Sequence, residues 1–183
     1  WDLAATEKKV VGFGKKKELN DPDEAVGSLI SKFSVNKEDA YCIEHQIGGM
    51  WSWENLLIAI ANMARADGPF VPVVLEEEPG SGGINQVAAV KSYFQKFPEL
   101  SAHQVFGQRA RDVGDRVMAA NHWFALAASG KMYLAKGEWN SKFLAQLDGF
   151  TQIAHDDRVT SVTGGMTYIR PFKSWRKVPF LSV

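Results

Sequence analysis

The segment VPVVLEEEPGSGG, residues 71–83, constrains the fold more than any other. A short unbroken apolar run bounded by turn residues is the pattern of a strand covered on both faces, as in a parallel sheet flanked by helices. The run ends abruptly in Glu76, Glu77 and Glu78, and Pro79 and Gly80 stop it. A buried strand with charge at its carboxyl end puts that charge where open α/β sheets gather their ligands. Alternate residues of a strand share a face, so Glu76 and Glu78 point together and Glu77 points away, with Glu78 at the border of the turn.

The rest of the chain alternates between strand and helix patterns. WDLAATEK, AVGSLISKF and AYCIEHQIGG read as three strands joined by the polar loops KKKELNDPDE and SVNKED, which suggests an antiparallel meander. WSWENLLIAIANMARADG is helical, with Ser52 as N-cap, Leu56, Ile60, Met63 and Ala64 as its apolar face, and Gly68 as the stop. INQVAAVKSYFQKF, with Val87, Val90, Tyr93 and Phe94, is a second helix, and SAHQVFGQ a fifth strand. RVMAANHWFALAASG is a helix ended by Gly130, KMYLA is strand-like, and WNSKFLAQLDGF is a further helix. HDDRVTSVTGGMTYI is the last helix, weakened by Gly164 and Gly165. In the basic, aromatic tail, residues 171–183, Pro171 and Pro179 argue against a continuous helix.

With 183 residues the chain fits one domain, residues 1–170, followed by that tail. Its 45% hydrophobic and 23% charged residues are those of a globular protein, which excludes a disordered chain. No apolar run approaches the roughly 20 residues that span a bilayer, and no signal-peptide pattern is present. The opening at Trp1, without an initiator Met, reads as a domain excised from a larger protein. A net charge of zero excludes whole-surface attraction to nucleic acid, so any such contact is local, at Lys15, Lys16 and Lys17 or at Arg109, Arg111 and Arg116. Cys42, the single cysteine, reads as a buried small hydrophobe and excludes an internal disulfide.

Three acidic clusters remain to be explained: Asp2 on the first strand, the glutamates at 76–78, and Asp156 with Asp157 at the start of the last helix. Converged carboxylates repel one another and are costly to hold without cations. Hard divalent metals, Mg²⁺ or Mn²⁺, are the usual solution, and a pair of them can run phosphodiester hydrolysis. Adjacent helical residues both border one site only at a helix start, where the helix dipole also favours carboxylates. The plain alternative for the Asp pair is an N-cap and an acidic first turn. GFGKKK lacks the spacing of a phosphate-binding loop, so ATP hydrolysis is not expected. Trp51, Trp53, Trp123 and Trp139 read as packing residues, and only His155 among the histidines adjoins an acidic cluster.

The element order resembles that of the ribonuclease-H-like fold. That fold has a central mixed sheet of five or more strands flanked by helices. The first three strands are antiparallel, and the fourth and fifth run parallel to the first. More specifically, the chain resembles the C-terminal nuclease domain of the large terminase subunit of tailed bacteriophages. WDLAAT at 1–6 is similar to the family's first-strand Asp motif, and DPDEAVG at 21–27 to DPDYTVG. LEEEPGSGG at 75–83 is similar to an apolar residue followed by Glu-Gln-Glu-Pro-Gly-Ser, and GDRV at 114–117 to GDK. KGEWNSKFLAQLDGF at 136–150 and HDDRV at 155–159 resemble the stretch ending in the third acidic motif.

The resemblance implies Asp2 and Glu76 as metal ligands together with Asp156 or Asp157, leaving open which aspartate binds directly. Asp23 and Glu78 are secondary acidic candidates. Lys15, Lys16, Lys17, Arg109, Arg111, Arg116 and His155 are candidate DNA contacts. The family's HDD motif continues VDA, whereas Val159, Thr160 and Ser161 stand here, so a later ligand Asp is absent. The implied activity is cleavage of duplex DNA, with little sequence preference, by two Mg²⁺ or Mn²⁺ ions. The implied partners are the terminase ATPase domain, the portal and the small terminase subunit, in the host cytoplasm. Another ribonuclease-H-like nuclease, of resolvase or transposase type, is the enzymatic rival. A non-catalytic module coupling DNA or portal is the other.

Overall fold

A two-residue turn at Asn36 and Lys37, with φ of 51° and 70°, folds β1 (Ala25–Val35) back on β2 (Glu38–Gly49). Positive φ at both positions gives the turn a twist that matches that of the flanking strands. The computed structural model describes residues 1–3, 24–77, 81–109, 116–150, 152, 155–172 and 176–177, without the side chains of 81–84, 109, 116 and 176–177. Beyond the hairpin follow α1 (Trp53–Asp67), β3 (Val73–Glu77), α2 (Ser81–Phe94) and β4 (Val105–Arg109). The chain continues through α3 (Arg116–Ala128), β5 (Met132–Leu134), α4 (Asn140–Asp148), α5 (Asp157–Ile169) and β6 (Arg176–Lys177).

These elements form a mixed α/β protein. β5 runs parallel to β2 on the outer edge of the hairpin. On the other edge of β1, Asp2 makes an antiparallel bridge to Val26, each backbone N–H donating to the other's carbonyl at 2.8 and 2.9 Å. At the far end of that edge β6 pairs in parallel with Phe33 and Ser34. Trp1 reaches across to β3: its amino nitrogen donates to the Val74 carbonyl at 2.6 Å, and its carbonyl accepts the Glu76 N–H at 3.0 Å. β4 lies parallel to β3. Residues 1–3 thereby link the four strands β5-β2-β1-β6 to the pair β3-β4.

Two cores cover the two faces. Leu56, Ile60 and Ala64 of α1 and Val87, Val90 and Phe94 of α2 pack with Leu3, Leu75 and Val105. Trp123 of α3, Phe143 of α4 and Val159, Val162 and Met166 of α5 pack with Tyr41 and Ile43 on the other side. α5 also buries a polar seam against the sheet. Ser161 Oγ donates to the Val26 carbonyl at 3.1 Å, and Gln46 Nε2 donates to Ser28 Oγ and to the Arg158 carbonyl, both at 2.9 Å. Buried polar groups are tolerated when paired in this way.

Local signals and structure coincide at α1: Ser52 Oγ accepts the Asn55 N–H at 3.4 Å, and Gly68, at φ 89°, ends the helix. They part at four places. Met63 is only partly buried. Trp53 is exposed rather than packed. α2 starts at Ser81, upstream of the expected start at Ile84, because two glycines are drawn into its first turn despite their poor helix propensity. α5 runs unbroken through Gly164 and Gly165. A Cβ on Gly165 would lie 2.6 Å from Ile30 Cδ1, so the missing side chain lets α5 seat closely on β1. Cys42 is half-buried, and burial raises its thiol pKa, which disfavours the reactive thiolate. Among the described residues no helix is long and apolar enough to cross a membrane.

Candidate functional site

Asp2 and Glu76 are register partners. Trp1 bonds both Val74 and Glu76, the pattern of a parallel pair in which Trp1 lies opposite Leu75. The residues that follow, Asp2 and Glu76, therefore lie opposite each other on the same face, on strands about 4.8 Å apart. Because Leu3 and Leu75 belong to the core under α1 and α2, Asp2 and Glu76 face the other way, toward α5. Both are partly buried.

Glu77 projects to the opposite face. Its carboxylate fills the space that a side chain at Gly107 of β4 would take. The period of two thus separates Glu76 from Glu77 physically as well as on paper. Glu78 and Asp23 lie outside the described residues, as do Lys15, Lys16, Lys17 and Arg111. Arg109 ends β4 and Arg116 opens α3, and their side chains are outside the description.

The third cluster arrives on α5. Asp156 is its N-cap, but the Asp156 side chain caps no backbone N–H. Its carbonyl accepts the N–H groups of Val159 and Thr160 at 2.9 Å, and its Oδ1 accepts the Thr160 hydroxyl at 3.3 Å. Asp157 behaves differently, since its Oδ2 accepts the backbone N–H of Glu24 at 3.1 Å, across to the start of β1. Glu24 precedes Val26 by two residues, so antiparallel pairing puts it about 7 Å beyond Asp2, at the carboxyl end of the first segment and β3. His155 is partly buried just before α5.

Sequence reading alone singles out neither Glu24 nor Arg158, yet both are built into this corner. Arg158 Nη2 donates to Glu24 Oε2 at 3.1 Å, and Lys142 Nζ of α4 lies 3.8 Å from Glu24 Oε1. The Arg158 N–H donates to Gln146 Oε1 at 2.8 Å. The one signal in the sequence is that Glu24 stands where the resembled motif reads Tyr.

Among the described residues no three His, Cys, Asp or Glu side chains are grouped closely enough to hold a metal ion by themselves. The donor chemistry of Asp2, Glu76 and Asp157 is nevertheless all hard oxygen. It fits a cation such as Mg²⁺, which is held by one or two carboxylates and completes its shell with water. A cavity of about 400 Å³ opens at the other end of β3, bordered by Met63, Asp67, Pro72, Tyr168 and Phe172, and none of the acidic candidates lines it. Comparison with protein-family models, curated proteins and solved structures returned no match to the chain.

Proposed function

We propose that this chain is a metal-dependent DNA endonuclease domain of the kind found in the large terminase subunit of tailed bacteriophages, built on a ribonuclease-H-like fold. One observation carries the reading: Asp2 pairs in parallel register with Glu76, at the carboxyl end of β3, on the face covered by a helix that begins at Asp157. In this reading Asp2, Glu76 and Asp157 hold the cations, with Asp156 beside them. Two Mg²⁺ or Mn²⁺ ions held there would supply an activated water and stabilise the leaving oxygen.

The chain's own residues orient that chemistry. Asp2 lies between Glu76 on one side and the Asp157 corner on the other, so its carboxylate would be central to the cation-holding set. Glu24 fixes the direction of the Asp157 carboxylate through its backbone N–H. Lys15, Lys16, Lys17, Arg109, Arg111, Arg116 and His155 contact DNA phosphates locally, as the zero net charge requires. Duplex DNA is the substrate. The terminase ATPase domain, the portal and the small terminase subunit are the partners, in the host cytoplasm.

Nicking of supercoiled plasmid with Mn²⁺, comparing the wild type with Asp2→Ala, tests this reading. Metal-dependent nicking lost in the variant supports it; metal-independent nicking, or nicking untouched by the substitution, refutes it. A marked preference for branched over linear duplex DNA would point to a resolvase instead.

A further inference from the structure

We infer that Arg158 and Glu24 form a positioning pair that aims the Asp157 carboxylate at the bound cation, an inference that rests on the nuclease reading above. Arg158 is the second residue of α5 and is 3% exposed. A guanidinium so deeply buried is expensive to desolvate, and replacing a buried ion pair by apolar residues is often neutral or stabilising. Its Nε is buried without a hydrogen-bond partner among the described residues, so the group is not arranged to maximise stability. Its contacts point to a role besides stability.

Residue 158 is held from three directions. Gln146 of α4 takes its N–H at 2.8 Å, Gln46 of β2 donates to its carbonyl at 2.9 Å, and its Nη2 donates to Glu24 Oε2 at 3.1 Å. Gly48 makes the space: a Cβ there would lie 2.7 Å from Nη2. Glu24 in turn is bound twice to the same helix start, by its side chain to Arg158 and by its N–H to Asp157 Oδ2. Residues 24, 157 and 158 thus close a ring of two hydrogen bonds through one peptide link. In the inferred arrangement the Arg158 contact helps hold Glu24 where its N–H meets the Asp157 carboxylate.

Outer groups that orient a metal ligand typically change affinity or activity about 10- to 100-fold when removed. Since a single substitution leaves one buried charge uncompensated, the test uses the neutral double variant Glu24→Gln/Arg158→Met, with Glu24→Gln and Asp2→Ala alongside. Mn²⁺ binding is measured calorimetrically, plasmid nicking kinetically, and folding by thermal melting. The inference predicts a double variant that melts like the wild type, binds Mn²⁺ about 10- to 100-fold more weakly and loses kcat by a similar factor, with KM for plasmid unchanged. A folded double variant whose Mn²⁺ affinity and kcat stay within about twofold of wild type overturns the inference and leaves the nuclease reading intact. If the double variant unfolds, Glu24→Gln decides by the same two measurements. A wild type that neither binds Mn²⁺ nor nicks, or an Asp2→Ala that matches it, overturns the nuclease reading and this inference together.

Discussion

Asp2 and Glu76 sit side by side on parallel neighbouring strands, locked in register by the Glu76 N–H donating to the Trp1 carbonyl at 3.0 Å. Glu77, one residue on, is turned to the opposite face against Gly107. This separation predicts that two chemically identical substitutions have opposite consequences. Glu76→Gln should lower Mn²⁺-dependent nicking by at least about 100-fold, the scale of losing a group that acts on the reacting atoms, whereas Glu77→Gln should leave it near wild type. Equal loss in both variants would show that the register is wrong.

The seating of α5 on β1 gives a second pair. Gly165 lies against Ile30, so Gly165→Val must push the helix off the strand, and overpacking of this kind costs about 1–3 kcal/mol. A Cβ on Gly164 would meet nothing within 4 Å, so Gly164→Ala should stabilise by about 0.5–1 kcal/mol through helix propensity. Urea unfolding of the two variants reads both signs; a destabilised Gly164→Ala would contradict the packing described for α5.

Asp67 ends α1 with a carboxyl whose pKa burial raises above the ordinary range; Glu44 adds to the rise, and His45 and His103 oppose it. The folded state therefore holds this proton more tightly than the unfolded chain does. Its contribution to stability is full below the ordinary carboxylate value of about 3.9 and is lost as pH climbs through the raised pKa. A negative charge at a helix C-terminus is also opposed by the helix dipole. Asp67→Asn should gain in melting temperature relative to wild type as pH rises across that window. A difference that stays constant, or shrinks with rising pH, would refute the assignment.

Short-range patterns carried the strand ending at Glu77, its parity, and the Ser52 cap, because each depends on residues a few positions apart. The pairing partners depended on distant chain and were not written locally. Met132–Leu134 is too short to show a period and finds its place only along β2. Arg176–Lys177, read as tail, gains an edge of β1 near where Lys32 Nζ donates to the carbonyls of Arg170 and Phe172. Glu24 and Arg158 are 134 positions apart, and nothing near either residue announces the other. The separate fates of Asp156 and Asp157 follow from the same cause. Both fit a helix start, and the partners that distinguish them, the Thr160 hydroxyl for Asp156 and the Glu24 N–H for Asp157, are not announced beside them.

The proposed function needs Asp2, Glu76 and Asp157 to serve one cation site. Crystals soaked in MnCl₂ and measured for manganese anomalous scattering test it most directly. The expected result is a peak within about 2.0–2.6 Å of carboxylate oxygens of Asp2 and Glu76, the range of hard-cation oxygen bonds, with Asp157 bound directly or through water. Manganese found only elsewhere, or bound on the Glu77 face, would contradict it.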